Sequence, residues 1–247
     1  MNFEHSWKSL NKKLRSIEQL QGGLSAALNA LEMQQRECGF IKDDLQEIRR
    51  MVFRHPERNV TLRAQVNPKR SRRHSGSGLL NNKNLEEYKN SGCFLCRENI
   101  KWQQEQRQMG FEIMASSAKY VALMNPFPLL PNHVVVASRN HMSQDLKLLS
   151  NQKLGRKLHD VVLDLCQLAQ RLPNHIGFYN GVGAGASIPE HFHFQFFQRE
   201  PSMPVFPIEE RDFTVVKNDG EPSSILGYPI NVFRWQGDLE KVVNDAC

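Results

Sequence analysis

The residues best able to do chemistry lie together in Ser187-Ile188-Pro189-Glu190-His191-Phe192-His193-Phe194-Gln195. If this stretch is a strand, its side chains alternate: His191, His193 and Gln195 share one face, and Phe192, Phe194 and Phe196 the other. Two imidazoles and an amide in a row make a poor apolar surface and a good site for a phosphate or a metal ion. A polar, solvent-facing strand is the plainer alternative. The preceding Asn180–Gly185 turn is glycine-rich, so a ligand can approach its backbone closely and meet N–H groups suited to phosphate oxygens. A second group is Cys93-Phe94-Leu95-Cys96. A CxxC can bind zinc or cycle as a dithiol, and the redox form opens a helix in a βαβ pattern that this chain lacks. A zinc site needs two more ligands. No second CxxC exists, and His141 and His191 are available to complete a Cys2His2 set. Two buried thiols without metal are the alternative.

These groups need a scaffold. Phe111–Ala115, Tyr120–Met124 and His133–Ala137 read as strands, and so do Ile176–Tyr179 and His191–Gln198. Between them, Leu154, Leu158, Val161, Val162, Leu165 and Leu168 carry helical spacing over 143–171, as one long helix or two, with Ser143 and Ser150 as candidate N-caps. Strand, strand, helix, strand, strand is an α+β, antiparallel pattern. Residues 1–50 are expected to be a helical N-terminal extension, packed on the main domain or on a second subunit. Leu10, Leu14, Ile17 and Leu20, then Leu24, Leu28 and Leu31, follow an i, i+3/i+4 spacing broken at Gly22-Gly23, and Ile41–Met51 is expected to continue as helix. Residues 51–247 form the main domain, with 53–90 a basic, partly flexible entry segment. In it Val60–Val66 reads as a strand and Ser75–Gly78 as a mobile loop.

The chain has 247 residues, 40% hydrophobic and 23% charged, which suits a globular protein and excludes a rod, a collagen or a fully disordered chain. No apolar run is long enough to span a membrane. The start MNFEHSWKSLNKK places an acid, a histidine and lysines where a signal peptide carries its apolar core, and five cysteines are sparse and odd in number. A cytoplasmic protein without disulfides is expected. The net charge of +6 divides as +1 over residues 1–50, +7 over 51–110 and −2 over 111–247. A local basic excess favours a phosphate-bearing partner.

His193 and its neighbours carry a resemblance. HFHFQ is similar to the H-x-H-x-Q signature of the transferase branch of the histidine-triad superfamily, which includes galactose-1-phosphate uridylyltransferase, diadenosine tetraphosphate phosphorylase and the GDP-hexose phosphorylases. Asn125-Pro126-Phe127-Pro128, then Pro131–Val136 and His141, resemble the strand pair of that superfamily. CFLCREN, Gln103–Gln106 and Gln65–Arg70 resemble an uncharacterised bacterial family in the same branch. The resemblance covers about residues 60–200 and implies a histidine-triad or uridylyltransferase-like antiparallel sheet. It further implies nucleotidyl transfer through a covalent nucleotidyl-histidine on His193, with Gln195 stabilising charge on a phosphate oxygen. It places structural zinc on Cys93, Cys96, His141 and His191, with His133 as the competing third histidine in a structural role. Arg70 and Arg73, with Lys69, would meet the polyphosphate; Asn125 and Phe127 would line the nucleoside pocket; Asn180 and Ser187 would lie near the α-phosphate. The substrate would be a nucleoside diphosphate-sugar or a dinucleoside polyphosphate, and the acceptor phosphate or a sugar phosphate.

The sequence departs from the uridylyltransferases in an extra Glu190 and in Phe194, which stands where they have a small residue. Only residues 201–247, through Arg234 and Trp235, could supply the second half that members of the branch often carry. A homodimer, whose partner subunit completes the pocket, is the other candidate. Two alternatives stay open: hydrolysis of dinucleoside polyphosphates, and a non-catalytic nucleotide or nucleic-acid binding module. Against nucleic acid stands the lack of any Phe, Trp or Tyr among the basic residues 54–73.

Overall fold

The structure is a computed structural model. It describes residues 2–57, 61–72, 92–101, 107–146, 157–200, 206–209, 214–216, 222–228 and 230–247. Its centre is a five-stranded antiparallel sheet built from β3 (Gly110–Met114), β4 (Lys119–Met124), β5 (Val134–Ser138), β6 (His175–Phe178) and β7 (His193–Gln198), in the order β3-β4-β5-β7-β6. The β5–β7 pairing sets Val136 opposite Phe194 and Ala137 opposite His193. Because facing residues share a side, Phe111, Ile113, Tyr120, Ala122, Met124, Val134, Val136, Phe194 and Phe196 form one apolar face.

That face is covered by α2 (Gly23–Glu37) and by α4 (Leu158–Gln170), through Leu24, Leu28 and Leu31 of the first and Val161 and Leu168 of the second. The helix α1 (Phe3–Leu20) straddles the β3 edge. Its Leu14 joins the same core, while Phe3 and Trp7 pack on the opposite side with Leu95, Ile100, Val121, Leu123 and Ala137. Asn11 closes the edge itself: its amide donates to the Gly110 carbonyl at 2.9 Å and accepts from the Glu112 N–H at 2.8 Å. An edge strand left open would be a template for pairing with another chain. Gly177 on β6 is dictated by packing, since a Cβ there would lie 2.4 Å from the Phe196 ring.

The break at Gly22-Gly23 falls where the sequence puts it, with both glycines at positive φ. The expected helical continuation over Ile41–Met51 does not form. Asp43 and Asp44 turn the chain with their side chains, accepting from Leu45 N–H at 2.8 Å and Gln46 N–H at 3.2 Å. The backbone then enters β1 (Arg49–Arg54), which pairs with β2 (Thr61–Val66) as an exposed hairpin. A three-stranded sheet of β8 (Thr214–Val216), β9 (Ser223–Leu226) and β10 (Val232–Arg234) and a terminal helix α5 (Leu239–Asp245) complete the described residues. Over 143–171 the described helix is α4. Leu154 and Ser150 lie outside the described residues, as do Ser75–Gly78 and Gln103–Gln106. No described helix is long and apolar enough to cross a membrane.

Candidate functional site

The strand starts two residues later than expected, at His193, with His191 in a bend just before it; from Phe192 onward the alternation holds. Phe192, Phe194 and Phe196 are fully buried in the core, and His193 and Gln195 stand on the other face of β7. His193 is 5% exposed. Its Nδ1 lies 2.8 Å from the His191 carbonyl. A carbonyl only accepts, so Nδ1 carries the proton and Nε2 carries the lone pair. Among the described residues Nε2 has no hydrogen-bond partner. Burial holds the His193 pKa below its ordinary value, so the neutral imidazole persists at neutral pH.

His191 uses its other atoms differently. Its Nε2 donates to the Ser138 carbonyl at 2.8 Å, which turns the Nδ1 lone pair toward Cys93 Sγ at 3.2 Å and Cys96 Sγ at 3.5 Å. His141 Nδ1 lies 3.3 Å from Cys96 Sγ, and the two imidazoles meet edge-on at 5.1 Å. The candidate ligand atoms of Cys93, Cys96, His141 and His191 all fall within 4.8 Å of one another, so the cluster could hold a metal ion. The donor set fits. Bonds of ~2.3 Å to sulfur and ~2.05 Å to nitrogen in a tetrahedron place unlike ligands about 3.6 Å apart, close to the observed separations. The carbonyl behind His191 is the outer partner that metal-bound histidines commonly keep. Burial pushes the Cys93 thiol up and the Cys96 thiol up to about 12, the neighbouring Cys93 adding to the latter, and burial brings His191 down to about 4. A metal cation would reverse the thiol shifts. The knuckle is shaped by Gly92 at positive φ and by Cys96, which begins the short helix α3 (Arg97–Ile100).

The remaining predicted residues fall into two groups along the chain. Asn125 caps its own turn, accepting from Phe127 N–H at 2.9 Å, and its N–H donates to the His133 carbonyl at 2.9 Å. Arg70 donates to the Phe127 carbonyl, which sets the basic turn against the Asn125–Pro128 turn, while the Phe127 ring is buried. Lys69 is engaged by Asp44 at 2.7 Å and Glu47 at 3.3 Å. Arg73 lies outside the described residues. Asn180 opens the glycine-rich turn, whose Gly183 and Gly185 take positive φ. Ser187 is half-buried, and its neighbour Ile188 packs against the same apolar cluster as Cys93.

Two residues join these groups, and the sequence does not single out their work. His133 Nδ1 accepts from Leu129 N–H at 3.1 Å, so its Nε2 carries the proton and donates to Gln195 Oε1 at 3.0 Å. That fixes which way the Gln195 amide faces, and its Nε2 has no partner among the described residues. Gln144, fully buried, bonds the backbone of His193. An isolated glutamine in a loop carries no pattern by which it could have been found.

The family described as "Domain of unknown function (DUF4922)" matches residues 30–198. No curated protein matches the sequence. Among solved structures the chain is similar to yeast Ap4A phosphorylase Apa2, at 14% identity with a TM-score of 0.42, over 78% of this chain and 56% of that one. The crystal structure of Apa2 in complex with AMP gives 14% identity and a TM-score of 0.44, over 80% and 59%. The complex with Ap4A gives 11% and 0.42, over 80% and 62%. The chain thus spans about three fifths of the length of these structures.

Proposed function

We propose a function for this chain, which belongs to the DUF4922 family, from the chemistry of its histidine strand: transfer of a nucleotidyl group through a covalent intermediate on His193. The observation that carries it is the state of that imidazole, buried, neutral, protonated on Nδ1 and with no Nε2 partner among the described residues, two residues along β7 from an amide whose Oε1 is held by His133. In the first half-reaction His193 Nε2 attacks the α-phosphorus of a dinucleoside polyphosphate or nucleoside diphosphate-sugar. The P–N bond forms and the P–O bond to the departing polyphosphate or sugar phosphate breaks. The imidazole becomes cationic without losing its Nδ1 proton, and the His191 carbonyl stabilises that charge. Gln195 Nε2 donates to a non-bridging oxygen as charge builds there. In the second half-reaction an oxygen of phosphate or a sugar phosphate attacks the same phosphorus. The P–N bond breaks and neutral His193 returns.

Arg70 and Arg73 are proposed to neutralise the phosphates, since the planar guanidinium fork can donate two N–H bonds to a pair of phosphate oxygens. Asn125 and Phe127 would border the nucleoside, and Asn180 and Ser187 the α-phosphate. Zinc is the proposed metal of Cys93, Cys96, His141 and His191. When bound it would supply a closed, four-ligand cross-link between the knuckle, the His141 loop and the start of β7.

The test is a covalent trap. The protein is incubated with ATP, GTP, diadenosine tetraphosphate, UDP-glucose and GDP-mannose, quenched, and weighed intact, with His193→Ala as control. An acid-labile gain of one nucleotide, absent in the control, is the expected result and names the base. No gain from any donor, with nucleotide binding retained, would sink the enzyme reading in favour of a binding module. Turnover without an added phosphate acceptor would make the reaction hydrolysis.

A further inference from the structure

Strand β6 ends too early to cover the nucleophile. Its last pairing with β7 sets Phe178 against Gln195, two residues beyond His193. The backbone N–H and carbonyl of His193 point to that side, because those of Phe192 are used toward Ser138 and Met142. Among the described residues no strand meets them. The carboxamide of Gln144 takes the missing strand's place. Its Oε1 accepts from His193 N–H at 2.7 Å and its Nε2 donates to the His193 carbonyl at 3.0 Å. The same Nε2 donates to the carbonyl of Asn180 at 2.8 Å, where the glycine-rich turn begins. The backbone of Gln144 is held as well: its N–H donates to the Pro189 carbonyl at 2.9 Å, and its carbonyl accepts from the Tyr179 hydroxyl.

Few side chains could do this. The site needs one acceptor and two donated hydrogens at the end of a three-bond stem, and only an amide offers both from one planar group. A carboxylate would accept from His193 N–H but repel the two carbonyls. We propose that Gln144 is a positioning residue for nucleotidyl transfer: it locks the His193 backbone to the mouth of the 180–185 turn, so that Nε2 stays in line with an α-phosphorus whose oxygens the turn receives. The inference rests on the reading of His193 as nucleophile.

The test uses the full chain loaded with zinc. Gln144→Met keeps the length and loses every side-chain bond. Gln144→Glu, at pH 8, keeps the acceptor and loses the donors. Each is mixed in single turnover with whichever of diadenosine tetraphosphate, UDP-glucose or GDP-mannose labels the wild type, and both the rate constant and the final labelled fraction are read. Displacement of a reacting atom by about 1 Å costs roughly 10²-fold, so the rate constant of both variants is expected to fall by about that much with the final fraction unchanged. An unchanged rate constant with a smaller labelled fraction would mean a structural role only and overturn the inference. So would wild-type kinetics, or loss of the far-ultraviolet helical signal in both variants. Failure of the wild type to label with any donor removes the His193 reading, and this one with it. Labelling of the wild type with no slowing in the variants removes this one alone.

Discussion

Zinc binding to the Cys93, Cys96, His141 and His191 cluster should depend steeply on pH, with a slope set by the thiols. Metal ligands must be deprotonated before they bind, so each proton displaced multiplies the apparent affinity by ten per pH unit. Burial raises the Cys93 thiol above its ordinary value and lifts Cys96 to about 12, so both are protonated in the metal-free protein at pH 7–8. His191 is brought down to about 4 and already donates through Nε2 to Ser138, so it enters neutral with its Nδ1 lone pair in place and releases nothing. The two thiols thus release two protons per ion, for which the apparent affinity should rise about 100-fold between pH 7 and pH 8. Competition against a chromophoric chelator calibrated at each pH reads the slope. Calorimetry in two buffers of different ionisation heat counts the protons directly. Cys96→Ser should reduce the count to one and the slope to about tenfold. A wild-type slope near zero would refute the reasoning, because it would mean the thiolates exist before the metal arrives; so would binding at less than one ion per chain.

Three further outcomes are expected. The labelling rate of His193 should be level above pH 6.5 and fall only at lower pH, since burial depresses its pKa and the nucleophilic neutral form survives acidification that would protonate an exposed histidine; an acid limb centred above 6.5 in stopped-quench rates would contradict this. His133→Phe keeps a ring against Phe197 but removes the donor that holds Gln195 Oε1, so the amide can turn over. Labelling should slow by about tenfold, short of the ~10²–10³ for loss of the donor in Gln195→Leu, and equal rates for His133→Phe and wild type would show that Gln195 is oriented by something else. Gly177→Ala forces a Cβ to 2.4 Å from Phe196, an overpacking of about 1–3 kcal/mol in the central core. Thermal melting should drop by about 2–12 °C, and an unchanged midpoint would mean that Phe196 moves aside without cost.

The parts of the fold that were legible are those in which local pattern and final environment agree. Phe192, Phe194 and Phe196 alternate with His191, His193 and Gln195, and a sheet with one apolar face is what that alternation specifies. The Leu24, Leu28, Leu31 spacing likewise fits a helix with one buried stripe. The hairpin β1 was not legible, because Arg49–Arg54 is exposed along its whole length and owes its extended form to its partner β2. The helix α2 before it ends at Glu37, where Gly39 takes positive φ, and Asp43 and Asp44 then turn the chain by side-chain bonds that compete with helical ones. In the candidate site, residue types suited to a metal or a phosphate could be read from the chain. Gln144 and the tautomer of His133 could not, since each is defined only by atoms that folding brings beside it.

The spacing of the histidines has a physical reason that neither residue shows alone. His191 sits in the bend just before β7, and from there its carbonyl lies 2.8 Å from the Nδ1 of His193, two residues on. His191 uses both ends of this arrangement. Its ring completes the Cys93, Cys96 and His141 cluster, and its carbonyl holds the Nδ1 proton of His193, leaving Nε2 bare. An ion in the cluster would therefore act on His193, the proposed nucleophile, without touching it, by fixing the backbone whose carbonyl sets the tautomer. Gln144 grips the same peptide segment from the other side, through the N–H and carbonyl of His193 itself. One more residue between the two histidines would turn His193 into the aromatic core and leave that carbonyl without its imidazole, so the two-residue step and the metal cluster are parts of one device.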